Sequence, residues 1–218
     1  MRRRLAWLGL YAVAMAFVEA AVVVDLRALY YPRGFGFPLV PMPPEMATIE
    51  IAREAATVVM ILAVAVLAAG SRMEAFLFYA WMFGIWDIFY YVWLRIALGW
   101  PPSLMTPDIL FLIPVPWVGP VLAPILVSGG LIVGATLLLR ARARGVEISF
   151  RPAEWGAAIA GGNLILLSFT LDSRSVLVGG PVQPFRWVIF AAGIASGAWA
   201  LRAALRRFQR IMATSRFS

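Results

Sequence analysis

The chain has 218 residues, 62% hydrophobic and 14% charged, with a mean hydropathy of +0.86 and a formal charge of +8. Soluble domains are nearer half apolar and a quarter charged, and disordered chains are more polar still, so both classes are excluded. Every basic residue is Arg, placed at the ends of apolar runs; that is the pattern of membrane topology signals, so a lipid bilayer and no nucleic acid is the expected partner.

Six runs approach the roughly 20 residues that a spanning helix needs. The first, Leu5–Leu26, follows the basic MRRR. Ala12–Ala14 resembles a signal-peptide cleavage site, but the apolar run continues well past it, so we read a retained span. The second, Ile51–Ala69, is introduced by Pro43-Pro44-Glu45, a good helix start because Pro suits the first turn and Glu the positive end of the helix dipole. The third is Met73–Leu98. After it, Thr106-Pro107-Asp108 reads as N-cap, N1 and N2 of a helix that Pro114 and Pro116 must stop. Such a helix near 107–113 is too short to span, so it is expected to lie on the outer interface or to re-enter the bilayer. Runs at Val118–Leu139, Ala153–Leu171 and Phe185–Leu205 complete the set. The expected fold is an all-α integral membrane protein of about six transmembrane helices plus this short helix, with 1–218 forming one polytopic domain.

Arginine placement orients the chain. With the N-terminus in the cytoplasm, 13 Arg fall inside, among them Arg140, Arg142, Arg202, Arg210 and Arg216, and 6 outside, including Arg27, Arg33 and Arg95. A bacterial inner-membrane (cell-membrane) protein with both termini cytoplasmic is expected. Gly130-x-x-x-Gly134 and Gly193-x-x-x-Gly197 are spacings that let helix backbones approach, either within the bundle or in a homo-oligomer.

The acids carry the functional signal. At 1.5 Å rise per residue, Glu19 and Asp87 both lie roughly 21 Å along outward-running helices. Glu50, Arg53, Glu54 and Thr57 stand at i, i+3, i+4 and i+7 on one face of the second helix, and Asp87, Tyr90 and Tyr91 lie on the third with Arg95 one turn on. Asp25, Arg27 and Asp108 also map to the outer half. Intramembrane carboxylates cost several kcal/mol, so they are expected to face inward and pair: Glu54 or Glu19 with Arg53, and Asp87 or Asp108 with Arg95. Glu19, Glu54, Asp87, Arg53, Arg95, Asp108, Glu50 and Tyr91 are therefore the candidate binding residues. Asp25, Arg27, Arg33, Glu45 and Asp172 are read as anchors, and Trp81, Trp86, Trp93, Trp100 and Trp117 as an aromatic belt.

With neither His nor Cys, the chain offers no His- or Cys-ligated haem, zinc or Fe–S cofactor; a metal, if bound, is a hard divalent cation on Glu19, Glu54 and Asp87. Three readings remain: binding or transport of a cation, proton or small polar or lipidic solute; an accessory subunit of a larger membrane complex; and a divalent-metal-dependent lipid-modifying enzyme. No catalytic residue is assigned.

Overall fold

The computed structural model describes residues 1–146 and 148–214, with side chains described through Arg207. Arg216 and the Arg210 side chain, both in the inner set above, lie outside the described residues. Six helices are long and apolar enough to cross a membrane, and the chain is a multi-pass all-α membrane protein. The helices are α1 (Arg2–Tyr30), α2 (Pro44–Ala68), α3 (Arg72–Leu98), α4 (Leu122–Ala143), α5 (Pro152–Thr170), a short α6 (Ser173–Leu177) and α7 (Trp187–Thr214). Two strands, β1 (Pro107–Phe111) and β2 (Trp117–Pro120), pair between α3 and α4.

Those strands correct the expected helix at 107–113. Pro107 faces Pro120, Asp108 faces Gly119 and Ile109 faces Val118 in an antiparallel pair. The T-P-D signal does resemble a helix start. A seven-residue helix, however, gains few hydrogen bonds for its nucleation cost, whereas the ladder satisfies the same backbone groups against Trp117–Pro120. For the same reason the fourth helix begins at Leu122, not Val118.

The bundle is ordered around α3, which packs on α1, α2 and α4, while α5 packs on α7 and β2. At the end holding Arg2 and Arg72 the helices meet through an apolar core that includes Leu8, Ala12, Ala16, Ile61, Ala65, Phe78 and Met82. Toward the opposite end the buried faces turn polar. The buried face of α2 runs Glu50, Glu54, Thr57, Ile61, Ala65, and that of α1 runs Leu8, Ala12, Ala16, Glu19, Arg27. Both series keep helical spacing, so one continuous face serves packing at one end and charge at the other.

Glycines set the tightest crossings. A Cβ on Gly84 would lie 2.7 Å from the Ser128 carbonyl oxygen, and one on Gly193 would lie 2.7 Å from that of Gly161. Gly134 packs under Leu201, the Gly197 backbone nitrogen would lie 3.0 Å from a Cβ on Gly161, and a Cβ on Gly130 would meet nothing within 4 Å. Both glycines of the α7 pair, and Gly134 of the α4 pair, thus lie at close crossings inside the bundle. Three of the belt tryptophans are tied into the bundle: Trp86 is buried, Trp81 donates to Thr136 Oγ1 at 3.1 Å, and Trp93 donates to the Val13 carbonyl at 3.1 Å.

Candidate functional site

The polar ends of α1, α2 and α3 do not close on one another. Between them, under the β1–β2 hairpin, lies a cavity of about 810 Å³. Glu19, Glu50, Arg53, Glu54, Asp87, Tyr90, Arg27 and Asp108 line it, with Pro114–Pro116 of the hairpin turn and Val176–Gly179 beyond α5.

Arg53 organises the α2 wall. Its guanidinium contacts Glu19 on α1 and, at 2.7 Å, Glu50 one turn back on α2. Thr57 donates to the second Glu19 oxygen at 3.0 Å. Both Glu19 oxygens are therefore engaged. Glu54 turns the other way and accepts the Leu112 N–H at 2.8 Å, tying α2 to the hairpin turn. That bond satisfies a donor just beyond Phe111, the last paired residue of β1.

The α3 wall depends on Gly84. Its close approach to α4 brings Ser128 within reach of Asp87, one turn further along, and Ser128 Oγ donates to Asp87 at 2.8 Å. Asp87 is half-buried, with its second oxygen free of any described protein donor. Ser128 was missed by sequence reasoning, since a lone Ser in an apolar helix carries no spacing signal.

At the hairpin, Asp108 is 2% exposed and takes Arg27 at 3.2 Å and the Tyr91 hydroxyl at 3.3 Å. Arg27 itself is buried, its guanidinium 3.7 Å from the centre of the Trp100 ring and 4.4 Å from that of Phe35. A guanidinium over aromatic rings makes favourable cation–π contacts where water is scarce. Burial pushes the Asp108 carboxyl up from 3.8 to about 7, against the opposing pull of Arg27 and of hydrogen bonds from the Ile109 N–H and Tyr91. On the far side, Ser173 donates to the Pro116 carbonyl at 2.5 Å. The hairpin is thereby tied to α1, α2, α3 and α6.

Several expected pairings are corrected. Arg95 is exposed and donates to the carbonyls of Gly99 and, at 3.0 Å, Pro101, capping its own helix as a C-terminal cation can. Asp108 pairs instead with Arg27, which the sequence suggested was a mere anchor. Tyr91 reaches the site through Asp108 and does not line the cavity. Asp25, Arg33 and Glu45 are exposed, and Asp172 pairs with Arg186 at 3.3 Å, as anchors do. Among the described residues no three acids converge to hold a metal ion. Glu19, Glu54 and Asp87 share a cavity, but each is drawn to a different protein donor.

Comparison with known protein families, curated proteins and solved structures yields no match.

Proposed function

We propose that this protein is a single-domain inner-membrane protein, both termini cytoplasmic, that binds a cationic or zwitterionic polar solute in a cavity open to the outer side. One observation carries this reading. Five acids but only two arginines line the cavity, and Glu50, Glu54 and Asp87 each keep one carboxylate oxygen to which no described side chain or backbone group donates. The volume falls within the range of about 300–1,000 Å³ usual for small-molecule sites. Keeping such unshared acids in a membrane protein is costly, so their retention favours a ligand that supplies positive charge or N–H donors. Beneath the cavity the apolar packing of Ala16, Ile61 and Met82 seals the inner half, which fits an outward-facing binding state better than an open pore.

Titration of the purified chain with ethanolamine, Mg²⁺ and Ca²⁺, followed by tryptophan fluorescence, tests this reading. Trp86 and Trp100 lie at or beside the cavity. At least one cation is expected to give a saturable change, and Glu54→Gln or Asp87→Asn to weaken it by about tenfold, equivalent to about 1.4 kcal/mol. Equal responses from wild type and both variants would refute the site.

A further inference from the structure

The charged cavity also has an apolar flank. Ile51 lines it from α2, and Leu177 and Val178 line it from beyond α5; all three are exposed. Ile51 and Leu62 are three helical turns apart, share a face of α2, and are both exposed. Ile51 thus belongs at once to the cavity wall and to the stripe of α2 that faces lipid. The two apolar flanks come from separate elements, α2 on one side and the end of α6 with the residue after it on the other.

Two donors in the same walls lack acceptors. Arg27 Nη1 and Trp86 Nε1 are buried and have no hydrogen-bond partner, although both residues line the cavity and are over nine-tenths buried. Buried N–H groups are seldom left unpaired, so each points to an acceptor that the protein does not supply. The cavity therefore presents both kinds of unmet demand: carboxylate oxygens on Glu50, Glu54 and Asp87 that want donors, and N–H groups that want acceptor oxygens. The unshared carboxylates are dispersed and suit an ammonium, which carries three N–H donors, better than a metal ion that needs converging ligands.

We infer that the cavity takes the head group of a zwitterionic amine phospholipid, admitted sideways along α2. Its ammonium lies among Glu50, Glu54 and Asp87, its phosphate oxygens face Arg27 and Trp86, and its acyl chains remain against Ile51, Leu177 and Val178. The inference rests on reading the cavity as a binding site and adds the class of ligand and its route.

The test exposes the delipidated full chain to mixed micelles of phosphatidylethanolamine, phosphatidylcholine and phosphatidylglycerol in equal amounts, then quantifies the lipid that co-purifies. Soluble phosphoethanolamine is titrated in parallel. Phosphatidylethanolamine is expected to be enriched about tenfold over phosphatidylglycerol, a difference of about 1.4 kcal/mol. Glu54→Gln combined with Asp87→Asn should abolish the enrichment, and Val178→Asp should lower lipid retention. Lipid retained in proportion to the mixture, or enriched equally by the double variant, would overturn the inference. If soluble phosphoethanolamine binds while no lipid is selected, the lipid route falls and the binding site stands. Failure of both would remove the site as well.

Discussion

The Arg27 guanidinium lies over the Phe35 and Trp100 rings and pairs with Asp108, from which it is separated by 81 positions in the chain. Removing one member of such a buried pair leaves the other charge without compensation, typically at about 3 kcal/mol or more. The Asp108 carboxyl sits at about 7 when folded and near 3.8 when free. The folded chain therefore holds a proton that the unfolded chain has lost, and this contribution to stability fades as pH rises from 3.8 through about 7. The unfolding midpoint in detergent should accordingly fall between pH 5 and pH 8, and Asp108→Asn should flatten that slope. Arg27→Met should destabilise the protein by about 3 kcal/mol at pH 8 and by much less at pH 5; equal losses at both would contradict this account. Glu54→Gln is expected to fold normally, because its amide oxygen can still accept the Leu112 N–H. The acids of this site are legible in the sequence because a carboxylate inside an apolar run is conspicuous. Arg27 and Ser128 are not, since each owes its role to a distant partner and neither stands out at its own position.

The β1–β2 hairpin is the element that roofs the cavity. Its residue Gly119 lies against the rings of Phe169 and Phe185, and an added Cβ would sit 3.1 Å from each. Gly119→Ala must push those rings apart, with an expected loss of about 1–3 kcal/mol typical of overpacking, measurable as a lower unfolding midpoint. A midpoint unchanged from wild type would show that the rings give way freely. The long helices are readable from apolar length, and their polar–apolar division follows from spacings such as Glu50, Glu54, Thr57, Ile61 and Ala65. The hairpin is not readable in this way. Its proline and aspartate mimic a helix start, and the strand that decides the matter, Trp117–Pro120, lies at the head of what looks like an apolar span.

At the scale of the whole molecule, α1 to α3 with the hairpin surround the cavity while α5 and α7 form a second packed pair beside it. The proposed orientation puts the hairpin outside. The chain contains no Cys, so single cysteines can report it cleanly: Ser103→Cys should react with an impermeant maleimide in intact cells, and Arg144→Cys only after lysis. The reverse pattern would invert the topology. Arginine counts alone support this orientation, because helix packing is indifferent to which side is the cytoplasm. The central claim is that the carboxylates of Glu54 and Asp87 hold a ligand, and native mass spectrometry of the gently purified protein tests it most directly. Wild type is predicted to carry a defined non-protein mass that Glu54→Gln and Asp87→Asn lose. A bare chain in all three samples, or the same adduct in all three, would contradict it.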